Sequence, residues 1–257
     1  MTTTAKSALL AELTFGSGMA GFLVQWLVPV HEMTDAKGAI GSVVGLVTLL
    51  LALVLGLVIW TSFGVFTTQQ SEAHTLGSNI LQLDLLLERY GPEARVGRIN
   101  LKDAVIRMRQ RFWRNEAGGP QNLDYSRSRT DINHIEAFFG SLNPQTDAQR
   151  QMRGAGEALA TSIVETSLLM SRQLANPVPS LLLIVVIAWS CLLFLGFGLL
   201  ANFNAITVVA EAFGAISVAS AIFMILEFSQ PYSGLFTIDP AGLDSVLAAM
   251  IEDKATT

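Results

Sequence analysis

Glu211 is an acid standing inside an otherwise apolar and small-residue run, Ala205 to Leu226, some two turns past the start of that run at ~3.6 residues per turn. An acid so placed turns to a bundle interior or a water path, because a charge in lipid at the bilayer centre costs a few kcal/mol. Two roles stay open for it: a polar group on a path through the membrane, or an interfacial or protonated structural acid. Gln25, in another apolar run, is its candidate hydrogen-bond partner. A second cluster lies in the stretch ILEFSQPYSGLF, Ile225 to Phe236, which holds Glu227, Pro231, Tyr232, Ser233 and Gly234. Proline stops the preceding helix and glycine tolerates the backbone of a turn, so the stretch reads as a boundary turn with Glu227 at the membrane edge, in reach of water.

The remaining reactive residues carry no enzyme chemistry. His31, His74 and His134 fall on different elements, so a metal site would need a tertiary coincidence. Gly118-Gly119-Pro120 is a chain breaker that lacks the lysine of a P-loop, and Ser, His and acids show no catalytic order. Cys191 is the single cysteine and sits in an apolar run, which excludes an intrachain disulfide and reads as a small buried hydrophobe. No catalytic residue, metal or cofactor is expected.

The elements that must position Glu211 are membrane helices. Of the 257 residues, 51% are hydrophobic and only 14% charged, with a mean hydropathy of +0.48, which points away from a soluble globule. A net charge of -5 gives no basic field for nucleic acid. Residues 38–71 carry no formal charge, and the core Ser42 to Phe66 exceeds the ~20 residues that cross hydrocarbon. Pro179 to Ala201 forms another span, ended by Asn202-Phe203-Asn204, and Ala205 to Leu226 completes a transmembrane hairpin. Leu13 to Val30 is a weaker run, read as a retained first span because no signal-peptidase-like site follows it; His31 and Glu32 just beyond it read as interfacial structural residues. The division expected is a first-span segment 1–37, a second span 38–66, an insert 67–178, a hairpin 179–228 and a turn with an amphipathic helix 229–257.

Lysine and arginine set orientation. Lys6, Lys37 and Lys254 account for three of the sixteen, and the other thirteen fall between Arg89 and Arg172. Four spans then put the insert and both termini in the cytoplasm, whereas three would put the amino end outside. Within the insert, Leu76, Ile80, Leu83, Leu87 and Tyr90 form a stripe of helical period, so the second span runs on as a helix until Gly91-Pro92. A helix over Glu93 to Trp113 sets Val96, Ile99, Val105, Ile106 and Phe112 on one side and its arginines largely elsewhere, either as a solvated face or as an anion-attracting vestibule. Asn115 to Arg129 reads as loop and Asp131 to Asn143 as a short helix. A helix of about 45 Å follows over Thr146 to Ala175, with a seam through Met152, Leu159, Ile163, Thr166, Met170 and Leu174. Asp239-Pro240 opens a last helix with Leu243, Val246, Leu247, Met250 and Ile251 on one face. Its acids would be repelled by anionic lipid, which places it against the helices of the insert.

Several of these residues, taken in order, resemble the bestrophin-like family of bacterial membrane proteins. They are Asp84 and Leu87 before Tyr90-Gly91-Pro92-Glu93, Asn176-Pro177, Phe197-Gly198-Leu199, and Leu226-Glu227 before Gln230-Pro231-Tyr232-Ser233-Gly234. The resemblance implies an all-α integral membrane protein with four transmembrane helices around a cytosolic helical insert, in a bacterial inner membrane. By remoter kinship with bestrophins it implies a homo-oligomeric channel for chloride or another small anion. Some bestrophins bind calcium through a proline-aromatic-glycine turn and an acidic cluster. Here Glu227, Asp239 and Asp244 are spread over eighteen positions, whereas calcium needs 6–8 oxygens together, so calcium is not expected.

Ala210, Gly214, Ser217 and Ala221 recur at spacings of three and four on the last span, and permit close approach of another helix, in the same chain or in a neighbouring subunit. The alternative to a channel is a non-conducting scaffold that binds a partner protein through its seamed cytosolic helices. A small transporter ranks third, since no inverted repeat is visible.

Overall fold

The structure is a computed structural model that describes residues 3–27, 30–113, 125–175 and 180–252, with the side chains of 30–36, 125–132, 175, 180 and 252 outside the description. His31, Glu32, the breaker Gly118-Gly119-Pro120 and the Asn176 to Pro179 junction therefore lie outside the described residues or side chains. Most of the described residues are helical, and none is in a strand. The helices are α1 (Thr3–Leu27), α2 (Val30–Tyr90), α3 (Arg95–Trp113), α4 (Tyr125–Ser141), α5 (Asp147–Ala175), α6 (Ser180–Leu200), α7 (Ala205–Phe228) and α8 (Ala241–Glu252). Four of them, α1, α2, α6 and α7, are long and apolar enough to cross a membrane, and the protein is an all-α membrane protein with its helical insert between the second and third spans.

The chain divides into two compact units, one of Met1–Val65 with Val178–Ser229 and one of Phe66–Pro177 with Gln230–Thr257. Helix α2 contributes to both. In the first, the membrane unit, α1 runs parallel to α6: Ser17 donates to the Cys191 carbonyl at 2.7 Å, and Gly198 faces Gly18 and Phe22. The same helix is antiparallel to α7, since Thr3 bonds Glu227, Gly18 meets Glu211 and Phe22 stacks edge-on with Phe203 at 5.3 Å. Helix α2 opposes α6, with Val44 against Gly196. The four spans thus alternate in direction. Their shared core holds Leu10, Leu51, Val186, Leu193, Phe194, Ala215 and Ile222.

Backbone contact explains why α1 packs despite its modest hydropathy. A Cβ on Gly21 would lie 2.3 Å from the Leu195 carbonyl oxygen, and one on Gly198 would lie 2.2 Å from that of Gly18. Only paired glycines let two helix backbones come so close, and dispersion along the seam replaces side-chain bulk. The tight α6–α7 corner is set by a capping box: Asn204 Oδ1 accepts from the Thr207 amide at 2.9 Å while Thr207 Oγ1 accepts from the Asn204 amide at 3.1 Å. Such a box is worth about 1 kcal/mol and makes α7 start sharply at Ala205.

In the insert unit the stripe on α2 is the core. Leu76, Ile80, Leu83, Leu87 and Tyr90 are all buried, packed with Ala160, Ile163, Met170 and Leu174 of α5. These two helices run antiparallel, with Asn79 donating to Ser162 at 3.1 Å and Gln149 to the Tyr90 carbonyl at 3.3 Å. Helix α2 stops at Gly91, whose φ of 118° suits a residue without a Cβ, and Pro92–Ala94 form a 3-10 turn into α3.

Three expectations need correction here. Val96 and Ile99 on α3 are exposed, and Gly97 holds the packing position instead, because the Phe138 ring occupies the place of its missing side chain, 2.1 Å from where a Cβ would stand. Helix α4 begins at Tyr125, so residues 125–129, expected as loop, are helical. Ile251 is exposed while Leu243, Val246, Leu247 and Met250 are buried, a one-residue misjudgement of how wide the α8 stripe is.

Candidate functional site

Glu211 sits one and a half turns into α7, on the face that also buries Ala215, Ala219 and Ile222. It is 7% exposed, and both carboxyl oxygens lack a hydrogen-bond partner among the described residues. The carboxyl fills a notch that Gly18 leaves in α1: a Cβ there would lie 2.5 Å from Oε2 and 3.1 Å from Oε1. Three hydroxyls of α1 and α6 are committed elsewhere. Thr14 donates to the Leu10 carbonyl at 2.9 Å, Ser17 to Cys191 and Ser190 to the Val186 carbonyl at 2.8 Å. Gln25 makes no hydrogen bond to Glu211, because α1 presents Gly18 at that level and Gln25 stands two turns farther along.

The small residues of α7 lie away from this buried face. Ala210 and Ser217 are exposed, Ala221 is half-buried, and Gly214 rests against the Phe194 ring, 3.1 Å from where a Cβ would stand. Most of that row is therefore unused by packing within the chain.

Glu227 does not reach water. It is 0% exposed, and its Oε1 accepts a hydrogen bond from the Thr3 hydroxyl at the first turn of α1. Carboxylates are stabilised near a helix N-terminus by its free amides and its dipole, so the acid pins α1 to the end of α7. The expected solvent-exposed edge position is thereby corrected.

The turn that follows belongs to the insert unit. Pro231 and Tyr232 are buried, Ser233 is half-buried, and Gly234 is exposed with φ 126°. Tyr232 packs its ring on Phe112 and Trp113, with centroids at 5.2 and 4.9 Å, and Trp113 Nε1 donates to the Ile238 carbonyl at 2.7 Å. Its hydroxyl donates to Gln69 Oε1 at 2.9 Å. Gln69 Nε2 in turn donates to Gln173 Oε1 at 2.6 Å and the Met170 carbonyl at 3.2 Å, and Gln173 Nε2 donates to Glu72 Oε1 at 2.9 Å. A buried polar network thus ties α2, α5 and the turn together. Burial and the Glu72 charge push the Tyr232 phenol well up, so it stays a donor at any ordinary pH. Gln69, Glu72 and Gln173 were missed from sequence. One signal existed: Gln69 lies seven residues before Leu76 and fourteen before Leu83, on the buried stripe of α2, where a polar side chain must find a partner.

The arginine face of α3 is partly spent on structure. Arg98 makes two bonds to the buried Asp84, at 2.9 and 3.0 Å, in the forked geometry that suits carboxylates. Arg109 grips Asp244 of α8 through Nε and, at 2.9 Å, through Nη2. That guanidinium holds the Asp244 carboxyl below the usual range, and the carboxylate holds the guanidinium above its own. The three acids weighed for calcium are separately engaged, Glu227 by Thr3, Asp239 by the Ala241 amide at 2.9 Å and Asp244 by Arg109. Among the described residues no group of three or more His, Cys, Asp and Glu is arranged to hold a metal.

The network residue Tyr232, the buried Asp84, the Gly91 turn and the Gly198 contact all fall in the motifs that carry the resemblance drawn from sequence. The family model of the Bestrophin-like domain matches residues 14–243. No curated protein and no solved structure matches the chain. The matched region takes in the second half of α1, the other three spans and the whole insert, and the chain belongs to the bestrophin-like family of membrane proteins.

Proposed function

We propose that the protein is an oligomeric channel for chloride or another small anion, seated in a bacterial inner membrane with residues 67–178 and both termini in the cytoplasm. The observation that carries the oligomer is the bare outer face of α2. Gly45 and Gly56 have nothing within 4 Å of where a Cβ would stand, and Leu46, Leu49, Leu53 and Trp60 are exposed around them. A span with such notches accepts a second membrane helix at close range, and the open row Ala210, Ser217 and Ala221 of α7 offers a matching surface. Subunits joined through these faces can surround an axis, with apolar rings as the constriction. Family membership supports anion conduction.

The test is reconstitution. Purified protein should have a particle mass that is a multiple of 27.7 kDa and should carry chloride-selective current across a planar bilayer. A folded monomer refutes the reading. A folded oligomer that stays silent favours a scaffold that binds a partner through the insert.

A further inference from the structure

We propose that Glu211 is a proton-binding site, and that the bound proton lets α1 seat on α7 at the Gly18 notch. The site is built from opposed features. A carboxyl 93% removed from solvent lies between helices in a membrane-spanning bundle, and neither oxygen has a donor among the described residues. An ionised carboxylate there would be an uncompensated charge, and a group in that position takes up a proton in preference to remaining charged.

No alternative ligand fits the surroundings. Among the described side chains, the charged and titratable ones on α1 are Lys6 and Glu12, both exposed, and on α6 Cys191; the part of α2 in the membrane unit brings Lys37, and α7 itself carries only Glu227 besides. None of them pairs with Glu211. A metal cation would need several more oxygens, yet the hydroxyls of Thr14, Ser17 and Ser190 point their protons at backbone carbonyls and the wall opposite is the Cα of Gly18. A proton needs no further ligand and no space. Water does need space, and the notch at Gly18 is filled by the carboxyl itself. Loss of the proton would therefore force α1 away so that water could reach the ion, and the α1–α7 seam becomes sensitive to pH.

Infrared spectroscopy of the intact protein in lipid at about pH 7, where an ordinary carboxyl is ionised, decides the first part. The wild type should show the carbonyl stretch of a free carboxylic acid, and Glu211→Gln should lose it; Glu211→Leu serves the same comparison if the amide variant does not fold. Identical spectra in that region overturn the proposal. Amide hydrogen exchange along α1 reads the second part. Raising the pH until the acid band disappears should lower the protection of the α1 amides, measured relative to their intrinsic exchange at each pH, at least about tenfold in the wild type, corresponding to ~1.4 kcal/mol of local opening, and leave the protection in Glu211→Gln unchanged. Loss of the band with α1 equally protected overturns the link between proton and seam.

Discussion

Gly198→Ala should loosen the membrane unit out of proportion to one methyl group. The added carbon would stand 2.2 Å from the Gly18 carbonyl oxygen, 2.9 Å from the Phe22 amide nitrogen and 3.0 Å from the Gly21 Cα. All three are backbone atoms of α1, so no side chain can swing aside. Restoring an ordinary contact of about 3.5 Å requires the two helices to part by about 1 Å, which forfeits dispersion along the whole seam. Overpacking of this kind costs about 3 kcal/mol at the upper end, and the better helix propensity of alanine returns about 1 kcal/mol. The net loss is about 2 kcal/mol, roughly thirtyfold in the folding equilibrium. Gly16→Ala is the control, since nothing lies within 4 Å of its Cβ position, and it should be neutral or up to about 1 kcal/mol more stable. Both are measured by equilibrium unfolding in mixed dodecylmaltoside and SDS micelles, followed by tryptophan fluorescence. Wild-type stability in Gly198→Ala, or an equal loss in Gly16→Ala, would refute the argument from backbone approach.

Tyr232→Phe removes the donor to Gln69 Oε1 and leaves a fully buried carbonyl oxygen unpaired, at a cost of about 1–3 kcal/mol in thermal unfolding. A variant as stable as wild type would mean that the network holds nothing together. The Arg109–Asp244 pair makes the seating of α8 sensitive to acid: the folded state holds the Asp244 carboxyl below its unfolded value, so its contribution is complete at neutral pH and disappears as pH falls through the folded value, beneath the ordinary ~3.9. The protection of the α8 amides, measured relative to their intrinsic exchange at each pH, should fall in that acid range in wild type, and the fall should be smaller in Asp244→Asn; the same acid profile in both would contradict the pairing.

Helices were legible wherever one periodic signal dominated. The α2 stripe repeats every three to four residues through Tyr90 with no competing pattern, and its five residues are all in the core. Spans declare themselves by length and lack of charge, a property of the chain that no tertiary contact alters. The α3 face was misread because a glycine carries no hydrophobic signal, while the ring that claims its place, Phe138, is forty-one residues away in sequence. Glu227 was misplaced for a similar reason: its donor Thr3 is 224 residues distant, and helix-end geometry alone cannot reveal which terminus will arrive there. On α7 two faces are made of small residues, and sequence offers no basis for choosing between them. The chain buries the one with Glu211, Ala215 and Ala219 and leaves Ala210 and Ser217 outward. Glu211 itself was legible as an acid in an apolar run; what it faces was not, because testing Gln25 against it required the register of α1 on α7, which the glycine contacts set.

Cysteine accessibility tests the four-span account most directly. In a Cys191→Ala background, single cysteines replace Asn202 in the α6–α7 corner, Glu93 after α2 and Leu235 after α7, all three exposed positions. The account predicts that an impermeant maleimide reaches the Asn202→Cys protein in sealed, right-side-out cells and reaches the other two only after the membrane is opened. Labelling of Glu93→Cys from outside intact cells would contradict it.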